Sequence, residues 1–174
     1  MPMPKDLHDN VCKEEVFSKI YTKYAKDLYN YLYYKYGESL GPNDKMQDAF
    51  IKLLDNCKKV TPSKAKGFLF SVAKNMMLNE IKHQKVVLRH RENKPKEYTN
   101  ESPEFVIEEK EFLKNYQVAL SRLTEDQRVA FLLNKVEGKK HAEIAEMLGV
   151  TKKAVENRIY AAYKKLKSEL EGFK

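Results

Sequence analysis

The sequence predicts an all-α fold, two small helical domains joined by a flexible linker. Three observations carry this. Apolar residues recur at helical spacing through most of the 174 residues, and no run alternates as a strand does. Residues 92–103 interrupt the pattern: Pro95, Asn100 and Ser102-Pro103 stand among charged residues with almost nothing to bury. The composition, 42% hydrophobic and 33% charged, supports packed cores and argues against global disorder.

The first helix rests on Val16-Phe17, Ile20-Tyr21, Tyr24, Leu28 and Tyr31, an i, i+3, i+4, i+7 stripe. Gly37 and then Gly41-Pro42 end it. Asn43 or Asp44 is expected to cap the second helix, whose inner stripe is Met46, Ala49-Phe50, Leu53-Leu54 and Cys57. Thr61-Pro62 sets an N-cap before a proline at N1 and opens a third helix that runs to about Arg91. Its apolar stripe is Phe70, Ala73, Met77, Ile81 and Leu88, and Gly67 weakens its first turn. Beyond the interruption, a fourth helix carries Phe112-Leu113, Tyr116, Leu120 and Leu123. The acidic run before it belongs to the linker or to its exposed start.

Thr124-Glu125-Asp126-Gln127 is a capping box, with Val129, Leu132-Leu133 and Val136 behind it and Gly138 as the stop. A short helix then spans about His141 to Leu148, with Ile144, Ala145 and Leu148 inward and Gly149 at C′. Thr151 caps a last helix towards Leu170. The domains fall at 10–91 and 111–174, with residues 92–110 between them as linker.

The net charge of +8 is unevenly spread. It is +1 over residues 1–63, +7 over 64–96, −4 over 97–110 and +4 over 111–174. Localised positive charge suits a polyanion, because each neutralised phosphate releases counterions. Charge alone does not separate DNA from RNA or from a membrane surface.

Residues 142–151, AEIAEMLGVT, have the form of a helix-turn-helix: a helix, a tight glycine turn and a cap for the next helix. In the last helix Val155, Ile159, Ala162 and Leu166 fall on one stripe, and Lys153, Asn157, Tyr160 and Lys164 on the opposite one. Asn pairs bidentately with adenine, Lys donates to guanine or phosphate, and Glu156 beside them can accept from cytosine N4. Lys152 and Arg158 flank the stripe as phosphate clamps. The third helix offers a second basic face, with Phe68, Lys74, Asn75, Asn79, Lys82, Lys85 and Arg89 opposite its apolar stripe. Cations that follow phosphates and a ring that stacks a base suit a single strand. The bland alternative for both faces is solvated surface, with Phe68 in the core.

Catalytic chemistry finds little support. The four histidines (His8, His83, His90, His141) form no HExxH motif, and no glycine-rich phosphate loop is present. His8 and Cys12 make a poor two-ligand metal site, so no metal, cofactor or catalytic residue is expected. Two cysteines, Cys12 and Cys57, do not make a disulfide framework, and Cys57 is expected in the core. The N-terminus lacks the apolar segment of a secretory signal, and no stretch approaches a membrane span. A soluble cytosolic protein is expected.

At this point three stretches resemble a known family, the extracytoplasmic-function (group IV) sigma factors of bacterial RNA polymerase. Residues 42–54, PNDKMQDAFIKLL, resemble its polymerase-binding helix. Residues 68–82, FLFSVAKNMMLNEIK, resemble its promoter-melting helix, and residues 120–166 its C-terminal helix-turn-helix domain. Order and spacing make the match specific over most of residues 16–168.

The resemblance implies an alternative sigma factor that binds core RNA polymerase and directs transcription initiation from promoter DNA. Asp44, Gln47, Asp48 and Phe50 match the core-binding motif. Phe68, Lys74, Asn75, Asn79 and Lys82 match the positions that meet the melted −10 element. Lys152, Lys153, Glu156, Asn157, Arg158, Tyr160 and Lys164 match the helix that reads the −35 duplex. An anti-sigma factor is the typical further partner and would hold the otherwise cytoplasmic protein at the inner membrane. No small-molecule substrate and no direct membrane insertion are implied.

The sequence departs from the family pattern at several positions. Phe68 stands where Trp is frequent, Lys74 where Arg is usual, Asn79 for Asp, Ala161 for a basic residue, and His141 for an aromatic or polar one. These departures bear on promoter preference more than on role. Residues 56–63 match a loop that in the family often holds a flipped base. The acidic linker residues Glu101, Glu104, Glu108 and Glu109 would pass the RNA exit path and mimic nucleic acid there. The alternative on the sequence alone is a helix-turn-helix regulator with an N-terminal dimerisation or sensing domain.

Overall fold

A computed structural model describes residues 10–91, 107–170 and 173, apart from the side chains of 86–91 and 107–110. Among the described residues the regular structure is entirely helical. The helices are α1 (Glu14–Tyr36), α2 (Pro42–Asp55), α3 (Pro62–Arg91), α4 (Ile107–Ser121), α5 (Glu125–Lys135), α6 (His141–Leu148) and α7 (Lys152–Glu169), with a 3₁₀ turn at Glu38–Leu40. The chain divides into two compact units, Met1–Asn93 and Lys94–Lys174. Residues 92–106, the greater part of the expected linker, and His8 lie outside the described residues. The helix begins within the acidic run, at Ile107, so that run is shared between linker and helix.

In the first unit α1, α2 and α3 pack on one another. Leu28, Leu32, Leu53, Leu69 and Met77 are fully buried between them, and Val11 closes the same core from ahead of α1. Gly37 and Gly41 both take positive φ, so the chain reverses there without a Cβ clash. The second helix starts one turn earlier than a cap at Asp44 would give. Pro42 occupies its first turn after Gly41, and the fixed proline φ suits that position. Asp44 then lies in the first turn, where the helix dipole favours a carboxylate.

Three residues of the expected apolar stripes lie outside this core, the first being Tyr21 of α1, 41% exposed although its ring packs on Phe50. Leu54 is 48% exposed, because the buried row of α2 runs through Met46, Ala49, Phe50 and Leu53. Cys57 follows the end of α2, is half-buried, and is disulfide-bonded to Cys12. Two thiols 45 residues apart give no local signal, so periodicity alone assigned Cys57 to the core. Asn30 is an unexpected buried polar residue, and its Nδ2 has no hydrogen-bond partner.

In the second unit α5 packs along α7, and α4 and α6 flank them. Phe131, Leu133, Ile144, Val155 and Leu166 form the fully buried centre. Three expected core residues are exposed here. Phe112 and Leu113 lie on the early turns of α4, ahead of its buried positions Ala119 and Leu123, although the Phe112 ring stacks on Tyr116 at 6.4 Å. Val136 is 60% exposed because α5 ends at Lys135 and the chain there turns out towards Gly138. Among the described residues no helix is long and apolar enough to cross a membrane, and no three His, Cys, Asp or Glu residues group as metal ligands.

Candidate nucleic-acid interface

The second unit holds α7 by caps written in the sequence. The Thr124 hydroxyl accepts from Gln127 N–H at 3.2 Å, and the Gln127 side chain accepts from Thr124 N–H at 3.2 Å, so α5 begins on a reciprocal box. After α5, Asn134 Nδ2 donates to the Lys139 carbonyl at 2.8 Å and Lys139 N–H to Leu133 at 3.0 Å, which fixes the turn into α6. Lys140 N–H donates to the Glu143 carboxylate at 2.7 Å. Gly149 ends α6 with φ 65°, and Val150 N–H reaches back to the Ala145 carbonyl at 3.0 Å. Thr151 then caps α7 by accepting from Ala154 N–H at 3.1 Å. Each cap satisfies backbone groups that helix ends leave open, so the angle between α6 and α7 is set locally.

This turn delivers a helix with two opposed faces. Val155, Ile159, Ala162 and Leu166 are all buried. Lys153, Asn157, Tyr160 and Lys164 are all exposed, Tyr160 at 69%. Glu156 is half-buried, with Lys153 Nζ at 3.5 Å, Lys152 Nζ at 4.0 Å and His141 Nδ1 at 3.9 Å. Arg158 has turned away from this face: its guanidinium meets the Asp126 carboxylate at 2.9 Å and ties α7 to the start of α5.

A groove of about 650 Å³ runs beside the exposed stripe and adds Asn134, Lys135, His141 and Tyr163 to its lining. Asn134, Lys135 and Tyr163 were not singled out from the sequence, since they join this surface only through the packing of α5 on α7.

In the first unit α3 presents Lys74, Asn75, Asn79, Lys82 and Lys85, all exposed, over about three turns. Asn75, Asn79 and Lys82 follow one row at i, i+4, i+7, with Lys74 at its edge. Phe68 is half-buried, so part of its ring surface faces outward. Leu78, 39% exposed, sits among the polar residues and offers a further apolar contact that the sequence reading left out.

On α2 the carboxylates of Asp44 and Asp48 are exposed one turn apart, with Gln47 beside them. Phe50 lies on the inner side, 3% exposed, with the Tyr21 ring at 4.8 Å and the Phe17 ring edge-on at 6.1 Å. It braces the helix from within. The outer face instead carries Ile51, 57% exposed, and Leu54, so an apolar pair stands beside two carboxylates. Lys45 Nζ lies 3.6 Å from Glu80 and ties α2 to α3.

These surfaces lie within two segments that match known family models. Residues 20–86 match Sigma-70 region 2 and residues 113–166 match Sigma-70, region 4. The chain belongs to the extracytoplasmic-function sigma factors. The relatives agree with this. The sigma factor is 24% identical over 166 residues to the ECF RNA polymerase sigma factor SigX of Bacillus subtilis (strain 168), covering 91% of this chain and 85% of that one. It is 25% identical over 153 residues to SigM of the same organism, covering 86% and 92%. A solved structure of an RsbN–BldN complex aligns at 19% identity over 91% of this chain and 94% of that chain. Its TM-score of 0.34 is too loose to inform this chain's arrangement.

Proposed function

We propose that this alternative sigma factor divides promoter opening among three helix faces. The outer face of α2 (Asp44, Gln47, Asp48, with Ile51 and Leu54) docks on core RNA polymerase, and Phe50 holds that helix in place. The face of α3 (Phe68, Lys74, Asn75, Asn79, Lys82) captures the separated strand of the −10 element: cations track phosphates and the ring stacks a base. Lys152, Lys153, Asn157, Tyr160 and Lys164 of α7 meet the −35 duplex in its major groove. Glu156 accepts from a cytosine there, and Arg158 positions α7 through Asp126.

The observation that carries the reading is the clean division of α7. Every residue of its inward stripe is buried, every residue of the opposite stripe is exposed, and a glycine turn sets the helix at the surface. The chain's part is non-enzymatic: binding energy opens the DNA and the polymerase does the chemistry. It acts in the cytoplasm and is held inactive by an anti-sigma factor, for which the groove beside Tyr160 and Tyr163 offers apolar surface. The acidic linker passes the RNA exit path.

The test is a titration of labelled full-length protein with sigma-free core polymerase. Asp44→Lys with Asp48→Lys should weaken binding by about tenfold or more, because both exposed carboxylates then repel a basic partner. Unchanged affinity would remove the α2 face from polymerase docking.

A further inference from the structure

We infer that Cys12 and Cys57 form a reversible dithiol–disulfide site, open to peroxides and small disulfides, which staples the turn ahead of α1 to the turn after α2. The two residues are bonded with Cα atoms 4.9 Å apart, inside the roughly 4.4–6.8 Å that a disulfide spans without backbone movement. Each backbone is held by contacts that do not depend on the bond. On one side Val11 is fully buried, Cys12 N–H donates to Asn10 Oδ1 at 2.9 Å, and Lys13 N–H donates to the Asn10 carbonyl at 3.0 Å. On the other side Cys57 N–H donates to Leu54 at 3.1 Å, Asn56 Nδ2 to the Lys52 carbonyl at 2.8 Å, and Val60 N–H to Asn56 at 3.1 Å. Neither turn needs the sulfur–sulfur bond for its own local backbone geometry.

Access and surroundings favour exchange over a permanent bridge. Both cysteines are half-buried, outside the fully buried core. Lys58 and Lys59, both exposed, follow Cys57, so the chain beside it is polar and faces solvent. The remaining argument rests on the proposed function: a factor that works on polymerase inside a bacterial cell meets a reducing medium. Disulfides there are rare, and those that form are mostly transient or redox-sensing.

The chemistry balances with hydrogen peroxide as oxidant. One thiolate attacks peroxide, the O–O bond breaks, a sulfenic acid remains, and the departing hydroxide takes up the proton that the thiol released and becomes the first water. The second thiol displaces the sulfenic oxygen as a second water, and the S–S bond forms with two electrons passed to peroxide in all. Two molecules of reduced glutathione return the two electrons and leave as glutathione disulfide. Oxidation fixes the joint between α2 and α3, the two helices that carry the candidate polymerase and −10 faces, to the segment ahead of α1.

The experiment uses full-length protein, a thiol-reactive polyethylene-glycol maleimide and mass spectrometry. After dithiothreitol two thiols should label. After hydrogen peroxide none should, with a loss of two hydrogens and no dimer, and millimolar reduced glutathione should restore both. The thermal midpoint of the oxidised protein should lie at least about 5 °C above that of the reduced protein. Cys12→Ser and Cys57→Ser should each remove the redox-dependent part of the shift. A bond that survives millimolar glutathione overturns the inference, as does oxidation that stops at sulfinic acid or joins two chains. Thiol counting needs neither polymerase nor DNA. Thiols that cycle in a protein that fails to bind polymerase would therefore refute the proposed function alone. A bond that never cycles in a protein that binds polymerase would refute this inference alone.

Discussion

Arg158 and Lys153 lie five residues apart on α7, and the structure sets them in opposite surroundings. Lys153 is exposed on the outer stripe, whereas Arg158 lies 2.9 Å from Asp126. If Lys153 neutralises one phosphate, Lys153→Ala should shallow the slope of log affinity against log salt by about 0.9. Between about 50 and about 200 mM salt, a fourfold rise, the variant should then lose about 3.5-fold less affinity than the wild type. Arg158→Ala should leave the slope parallel to wild type. Its cost should appear in unfolding instead, at about 0.2–1 kcal/mol, since the Arg158 and Asp126 side chains are 25% and 58% exposed and water screens the pair.

The assay is fluorescence anisotropy with a −35 duplex at several salt concentrations, paired with urea unfolding of Arg158→Ala, Asp126→Ala and the double variant. The double variant should cost no more than either single one. A slope reduced by a full phosphate in Arg158→Ala, with unchanged stability, would refute the assignment and return Arg158 to the phosphate contacts.

The other predictions concern single surfaces. Asn157→Ala should weaken binding to a cognate −35 duplex by about 1–3 kcal/mol, and unchanged affinity there would remove Asn157 from base readout. Gly149→Ala should destabilise the second unit by about 1–2 kcal/mol in urea unfolding; with no atom within 4 Å of the added Cβ, this cost comes from the backbone at φ +65°. Ile51→Asp with Leu54→Asp should reduce affinity for core polymerase while the thermal midpoint stays within about 2 °C of wild type, since both side chains are already exposed. A midpoint that collapses would place them in the core. Reversing Glu101, Glu104, Glu108 and Glu109 to Lys should change the ratio of abortive to productive transcripts, and an unchanged ratio would end the mimicry idea for the linker.

What could be read from the sequence was what depends on neighbours a few residues apart. The buried stripe of α7, the Thr124 box, the Gly149 turn and the Thr151 cap are each complete within about ten residues, and all of them form as expected. Periodicity gives the direction of a helix face but not where the packing neighbour stops. Phe112, Leu113, Val136 and Leu54 are apolar residues at or beyond such an edge. The pairing of Arg158 with Asp126 and the bond from Cys12 to Cys57 join residues far apart in the chain, and no local pattern announces either. The same limit applied to Phe50. The motif that drew attention to it is local, whereas its burial against Phe17 and Tyr21 comes from how α1 crosses α2.

Reconstituted transcription tests the central claim most directly. The full-length protein is added to sigma-free bacterial core polymerase with fragmented genomic DNA, and the 5′ ends of the transcripts are mapped. The account predicts starts clustered downstream of a shared two-part motif, lost when Asp44 and Asp48 are reversed to Lys. Duplex binding without polymerase binding, and with no clustered starts, would contradict it.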